Sequence, residues 1–251
     1  MRPSALARTT LFATACALMA ACGGDSTAPK AADITVDSLL ADLDAVQTMT
    51  ASGVALGGVP VSSFAVPSAA VCPYDSSMQR FVCPSRTANG VTMTMYFELR
   101  DASGALQSAF SPTTTASIRT VSDLSGTPSG AGISGIASLT SHSDQTLSGL
   151  PATPTLNGVS TTAFTASVSG VSHTVNMTQT ITNLVLPTRG SSTSYPSGTI
   201  AMDFTQAGLP AEHITMTFNG TSVVTMTMTS AGTTLTCTFD LAKPSTPASC
   251  H

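Results

Sequence analysis

The sequence predicts a mainly β protein built on one large, curved antiparallel sheet of about eleven strands, a half-barrel or open barrel, because open sheets of that size curl. Two observations predict this fold class. Long segments alternate apolar with polar residues at a period of two, which is typical of half-buried strands. The segments between them are too short for the helical crossovers of a parallel sheet. A two-sheet β-sandwich is the alternative.

The alternation is clearest in residues 91–100, where apolar side chains at odd positions alternate with polar or aromatic ones at even positions. Residues 101–104, Asp-Ala-Ser-Gly, predict a turn after this strand. Asn219-Gly220 is the strongest hairpin signal in the chain and lies between two alternating segments. These local signals predict hairpins whose strands are neighbours in the sheet.

Two interruptions of the pattern predict irregular strands. In residues 173–186 the apolar positions change parity between Ile181 and Leu184, which a β-bulge near Asn183 would explain. Residues 59–66 are apolar but contain a proline and precede another, so we expect an edge strand there and not a central one.

One helix is predicted, over residues 33–53. Thr35 is a suitable N-cap and Gly53 a suitable stop. Between them a single apolar stripe recurs every three or four residues: Val36, Leu39, Leu40, Leu43 and Val46. We expect this helix to pack on the concave side of the sheet. A helix that binds a partner is the alternative.

Residues 1–21 have the parts of a secretory signal: a basic start, an uncharged and mostly apolar stretch, and small residues before Cys22. The segment Leu18-Met19-Ala20-Ala21-Cys22 resembles the lipobox of bacterial lipoproteins, although Met19 stands where Leu is usual. The resemblance covers residues 1–25. It implies cleavage before Cys22 and lipid on the thiol and amine of that residue. An ordinary cleaved signal is the alternative.

The lipobox resemblance also implies a location. Gly23 stands where some lipoproteins carry the aspartate that retains them in the inner membrane. We therefore expect a lipid anchor in the bacterial outer membrane, facing the periplasm or the cell surface. The outer leaflet of the inner membrane is the alternative. Residues 22–32 would form the lipidated cysteine and a polar tether, and residues 33–251 a single domain held to the membrane by lipid alone.

Cysteine usage agrees with an exported protein. Four cysteines remain beyond residue 22, an even set that favours disulfides in an oxidising compartment: Cys72, Cys83, Cys237 and Cys250. Three pairings are possible. We favour Cys72–Cys83 and Cys237–Cys250, because each closes a short loop that contains turn residues. Without a Cys-x-x-Cys spacing we expect no metal, and we expect no cofactor.

Charged residues make up only 9% of the 251 residues, and the net charge is −4. An acidic chain without basic clusters argues against nucleic acid as a partner, because Lys and Arg supply most of the affinity for phosphate. The chain also lacks basic clusters that would hold it to anionic lipid headgroups.

Methionine marks the apolar positions of the predicted strands: Met93, Met95, Met177, Met202, Met216, Met226 and Met228. Methionine is adaptable and common on promiscuous apolar surfaces, so a curved sheet with this face inward would suit a lipid or another apolar ligand. Ordinary core filling is the alternative. Threonine rows on the opposite face are explained by β-propensity, with an ordered array for ice or carbohydrate as the alternative.

Catalytic motifs are missing from the sequence. It has no Gly-x-Ser-x-Gly elbow and no metal-binding histidine motif. His142 and Asp144 share a strand face but lie about 7 Å apart, too far for a direct hydrogen bond. His213 opens a predicted strand, and Asp203 falls on the threonine face. We therefore predict a protein that is not an enzyme. A hydrolase site assembled from distant residues is the third hypothesis.

The order of lipidated cysteine, helix and antiparallel sheet is similar in outline to the lipoprotein-carrier and lipoprotein-receptor half-barrels of the outer membrane. This is an analogy of fold without a shared motif. The leading prediction is a lipid-anchored envelope lipoprotein that acts as a non-enzymatic binding or structural module. The alternative is a carrier of an apolar ligand. Expected partners are the membrane, through lipid on Cys22, and an apolar ligand or another envelope protein.

Overall fold

The computed structural model describes residues 72–129, 136–168, 171–186, 195–243 and 249–251. Cys22, the predicted helix at residues 33–53 and the predicted edge strand at residues 59–66 lie outside these ranges. Within them the chain forms strands and no helix. The strands are β1 Tyr74–Asp75, β2 Arg80–Ala88, β3 Val91–Asp101, β4 Leu106–Gln107, β5 Thr115–Gly126, β6 Ile136–Ser148, β7 Thr155–Val168, β8 Val171–Val185, β9 Ser197–Gln206, β10 Glu212–Asn219, β11 Val223–Ser230, β12 Thr233–Asp240 and β13 Ser249–Cys250.

All the strands belong to one open antiparallel sheet of 13 strands. The order is the order of the chain, except that β5 follows β3 and the short β4 pairs with β3 beyond the end of β2. The predicted antiparallel meander is therefore confirmed, and the two-sheet alternative is wrong for the described residues. The expected strand number was too low because β1 and β13 have only two residues each, too few to show a period.

Tight turns connect several of the long strands. Asn89 and Gly90, between β2 and β3, both have positive φ, as do Ala231 and Gly232 between β11 and β12. That is the type I′ geometry whose twist matches the flanking strands. The predicted hairpin at Asn219-Gly220 is confirmed, but its loop is longer and the Asn219 side chain accepts a hydrogen bond from the amide of Thr221. Of the two type I′ turns, the one at Asn89-Gly90 was not predicted from the sequence.

The predicted β-bulge near Asn183 is confirmed. The register between β8 and β9 shifts between Thr182 and Val185, and Asn183 has a φ of 48°. The Asn157 side chain of β7 accepts a hydrogen bond from the Asn183 amide at 2.7 Å. The extra residue turns Leu184 to the same side as Ile181, and both side chains are buried.

The large buried apolar side chains lie on one side of the sheet, which we call the inner face. Residues that stand directly opposite on neighbouring strands point to the same face, so the pairing defines rows across the sheet. One row joins Leu99 of β3, Ile118 of β5, Leu147 of β6 and Leu156 of β7. All four side chains are buried, and they form the main core together with neighbours that include Phe97 and Val224.

Each of the two edges of the open sheet carries one disulfide. Cys72, just before β1, bonds Cys83 of β2 at one edge, and Cys237 of β12 bonds Cys250 of β13 at the other. Both pairings agree with the sequence prediction. Each bond holds a two-residue strand against the edge, and short edge strands limit pairing with other chains.

We expect the paired substitution Cys72→Ala, Cys83→Ala to lower the free energy of unfolding by about 3 kcal/mol, because a disulfide restricts the unfolded chain. The same change at Cys237 and Cys250 should cost a similar amount, since the bonded residues are 11 and 13 positions apart. Urea unfolding measures both losses. As a control, a reductant should destabilise the wild type more than either paired variant. Peptide mapping that joins Cys72 to Cys237 or Cys250 would contradict the pairing.

Candidate functional site

The seven methionines predicted from the sequence all lie on the inner face, but the sheet divides them into two groups. Met93 and Met95 lie on β3, and both are buried. The second group lies on β8–β11: Met177, Met202, Met216, Met226 and Met228. Met177 and Met202 are buried, and the other three are partly buried. The structure therefore does not bring the methionines into one continuous patch.

Between the two methionine groups the inner face is polar, which the sequence reasoning did not anticipate. We call this region the polar patch and define it by Thr120, Ser122, Ser143, Gln145, Ser160 and Gln179. All except Ser160 are buried. Buried polar side chains are normally hydrogen-bonded, so their partners decide what the patch can do.

The polar patch occupies two adjacent rows. One row joins Thr120 of β5, Gln145 of β6 and Gly158 of β7, and continues through apolar Ile181 and Ile200. The next row contains the remaining members of the patch: Ser122, Ser143, Ser160 and Gln179. Along β6, buried Leu147 borders the patch on one side, and Ser141 separates it from buried Leu139 on the other.

Gln145 is the least satisfied side chain of the patch. It is 1% exposed, and neither its amide nitrogen nor its amide oxygen has a hydrogen-bond partner. The hydroxyl of Thr120, directly opposite on β5, is also buried and unpaired. By contrast, the Ser160 hydroxyl donates to the Ser143 hydroxyl at 3.0 Å. Unpaired buried polar groups cost about 1–3 kcal/mol each, so the two unpaired side chains mark an unusual position.

Gly158 makes the room that Gln145 occupies. A Cβ atom at position 158 would lie 2.7 Å from Cγ of Gln145 and 2.5 Å from the carbonyl oxygen of Asp144. Any side chain there would push Gln145 away from its place. The polar patch is therefore built from complementary residues on neighbouring strands.

The opposite side of the sheet, the outer face, carries an ion-pair network. Glu98 of β3 contacts Arg100 at 2.8 Å and Arg119 of β5 at 3.6 Å. Arg119 also donates two hydrogen bonds to Asp144 of β6, at 2.9 and 2.6 Å. These hydrogen bonds hold the pKa of the Asp144 carboxyl below its usual value and raise the pKa of Arg119. Asp144 thus pairs across the sheet and not with His142.

The histidines of the outer face pair with aspartates on neighbouring strands. His142 contacts Asp123 at 2.7 Å. Nδ1 of His213 lies 2.6 Å from Asp203, and its Nε2 lies 2.9 Å from the Thr215 hydroxyl. Sequence reasoning missed both pairs, because they depend on the register between strands. The length of the turn between β9 and β10 is the signal that would have placed Asp203 opposite His213.

Asp203, His213 and Thr215 stand in the order of acid, base and hydroxyl that hydrolases use. Nucleophilic hydrolysis also needs free donors for the developing oxyanion. Since β10 lies between β9 and β11, its backbone amides are engaged in the two ladders. The His213 and Asp203 side chains are also half exposed. The described residues therefore give this group hydrogen bonds, but β10 supplies no free backbone donor for an oxyanion.

The threonines predicted for one face do share the outer face. Thr217, Thr225 and Thr238 stand opposite one another on β10–β12, and Thr215, Thr227 and Thr236 form the adjacent row. The hydroxyls of Thr229 and Thr234 form a hydrogen bond at 3.0 Å. The rows are regular, and nothing on them singles out a ligand.

In the described ranges, no three His, Cys, Asp or Glu side chains come together as metal ligands. Nor do these ranges contain a helix with the length and apolar character needed to cross a membrane. The chain matches no protein-family model, and comparisons with curated proteins and with solved structures find no similar protein. The fold and the site define a class by themselves: an open antiparallel sheet whose inner face has a polar centre and apolar flanks.

We expect Asp144→Asn to lower the free energy of unfolding at pH 7 by about 0.5–1 kcal/mol, because the half-exposed pair with Arg119 is screened by solvent. The pKa of Asp144 is lowered in the folded protein, so its stabilising effect is complete above the ordinary carboxyl pKa and is lost as the pH falls through the folded value. Urea unfolding should separate variant from wild type at pH 7 and bring them together near pH 2 (roughly two units below a free carboxyl).

The control is a double-mutant cycle with Arg119→Gln, which isolates the coupling between the two side chains. We expect the coupling to shrink at high salt. Equal destabilisation by Asp144→Asn at both pH values would contradict an electrostatic origin.

Proposed function

We propose that the protein is a lipoprotein of the bacterial envelope, anchored by lipid on Cys22, whose folded domain binds a ligand and is not an enzyme. The lipobox resemblance of residues 18–22 supports the anchor. The two disulfides support an oxidising compartment, where such bonds form and persist. The outer membrane is the proposed location, because Gly23 follows the cysteine.

We further propose that the ligand is a lipid or another molecule with an apolar chain, held on the inner face. The carrying observation is the polar patch, which interrupts the buried apolar side chains of the inner face. A core built only for stability would fill the Gln145 position with an apolar side chain, because an unpaired buried amide is costly. A carrier needs a polar and an apolar surface side by side, because its ligand has a polar group and an apolar chain.

Burial supports a sheet that curls toward its inner face, as in a half-barrel. Phe97, Ile118 and Leu147 are completely buried, although all three lie on one face of a single sheet. A flat sheet leaves each face to solvent unless another layer covers it. Curling of this many strands is expected from their accumulated twist.

We expect Cys22→Ser to release the protein from the membrane fraction into the soluble periplasmic fraction, because the lipid is the proposed anchor and more than one chain is needed for stable attachment. Cell fractionation and labelling with a radioactive fatty acid measure the change. Cys16→Ser is the matched control and should leave both the label and the membrane location intact. Retention of the Cys22→Ser protein in the membrane would contradict the proposal.

We expect natively purified protein to carry a lipid and to bind a fluorescent acyl-chain probe. Met228→Gln should weaken probe binding by about three- to tenfold, a change of roughly 0.6–1.4 kcal/mol, because it places an amide on the apolar flank. Mass spectrometry of the extracted protein and fluorescence titration measure the two effects.

The control is Thr227→Gln, which introduces the same side chain on the outer face of the same strand, since neighbours in a strand point to opposite faces. It should leave probe affinity unchanged. Protein that carries no lipid and binds no acyl-chain probe would contradict the carrier function.

A further inference from the structure

We propose that Gln145 and Thr120 recognise an uncharged group that both donates and accepts hydrogen bonds, a hydroxyl or an amide, next to the acyl chain of the ligand. This inference rests on the proposed carrier function and names the class of ligand for it. It starts from the one place on the inner face, within the described residues, where two neighbouring buried side chains are both unpaired.

The two side chains form one position. Thr120 and Gln145 stand directly opposite on β5 and β6, so their Cβ atoms are about 5 Å apart on the same face. Between them they present three unpaired polar atoms: the hydroxyl of Thr120 and the amide nitrogen and oxygen of Gln145. Gly158 leaves space for the Gln145 side chain, because a Cβ atom there would collide with it.

The chemistry of these atoms determines what they can bind. The Gln145 nitrogen only donates, its oxygen only accepts, and the Thr120 hydroxyl does both. A ligand group that satisfies both ends of the glutamine must therefore supply a donor as well as an acceptor. Hydroxyl and amide groups do so. An ester accepts but does not donate, so it would leave the Gln145 oxygen unpaired.

A charged ligand group is disfavoured at the same position. The inner-face neighbours of Gln145 are Thr120, Gly158, Ser143 and Leu147, and none of them carries a charge. An ion buried without an opposite charge is far more costly than a neutral polar group. The ion pairs of β3–β6 lie on the outer face, where they cannot offset it.

The rest of the row offers a path for the acyl chain. From Gly158 the row continues through Ile181, Ile200, Met216 and Met226, on β8–β11. These four side chains are apolar, and the distance from β7 to β11 is about 19 Å at the usual strand spacing. A ligand whose polar group sits at Gln145 therefore has an apolar surface on one side of it for its chain.

The test uses four probes with the same sixteen-carbon chain: palmitamide, palmityl alcohol, methyl palmitate and palmitate. Each displaces a fluorescent acyl-chain probe from the delipidated full-length protein in detergent. We expect palmitamide to bind at least tenfold more tightly than methyl palmitate or palmitate at pH 8. A palmityl alcohol probe should resemble palmitamide, and the ratio of the two affinities separates the hydroxyl from the amide as the preferred group.

Gln145→Leu should abolish the preference for palmitamide over methyl palmitate, while leaving the affinity for methyl palmitate within about threefold of wild type. Thr120→Val, which keeps the shape of the side chain, is a second variant and should reduce the preference. The matched control is Thr146→Val, on the outer face next to Gln145, which should leave all affinities unchanged. Circular dichroism verifies that each variant retains its strand signal.

The outcomes separate the two proposals. Equal binding of palmitamide and methyl palmitate by the wild type would overturn this inference and leave the carrier function standing. This inference would also be overturned if Gln145→Leu raised the midpoint of thermal unfolding and kept the preference for palmitamide over methyl palmitate. Gln145 would then have no part in ligand recognition. Failure of every probe to bind would overturn both the inference and the carrier function.

Discussion

The register of one antiparallel ladder determines which side chains meet in this protein. Because successive residues point to opposite faces, a slip of one residue would move a whole strand's apolar set to solvent. The row that begins at Phe81 and Phe97 runs through Gln145 and ends at the Cys237–Cys250 disulfide, so it crosses nearly the whole sheet. The disulfides hold short strands at both edges and thereby protect the ends of that ladder.

The sequence predicted those parts of the fold that depend on local pattern. Alternation in residues 91–100 placed β3, the parity change placed the bulge at Asn183, and short cysteine spacings placed both disulfides. Two-residue strands such as β13 were not predicted, because such a strand is defined by its hydrogen bonds to a neighbouring strand and is too short to show a period. The turn at Ala231-Gly232 was predicted because glycine accepts positive φ, whereas the turn at Asn89-Gly90 was overlooked although its residue types also favour positive φ.

The candidate site was predictable only in its flanks. Methionine positions in β9–β11 follow from alternation, whereas the polar patch lies where alternation is weak. In β6 the inward positions read Leu139, Ser141, Ser143, Gln145 and Leu147, so apolar residues mark the face only at its ends. Pairing between strands determines which residues stand opposite Gln145, and it places Gly158, which has no side chain, beside it. No local signal carries that information.

The polar patch and the outer-face histidine groups are both polar, but their energetics differ. Asp203 and His213 are half exposed, so water completes their hydrogen bonds at little cost. Gln145 is shielded from water, and its unpaired amide lowers the stability of the fold. The ligand proposed above would pair the amide only in the folded state, so its binding would raise the free energy of unfolding. Local departures from full hydrogen bonding are expected at functional sites, and the unpaired side chains of Thr120 and Gln145 are neighbours in one row. Under the proposed carrier function, the loading of the inner face would therefore be coupled to the stability of the sheet.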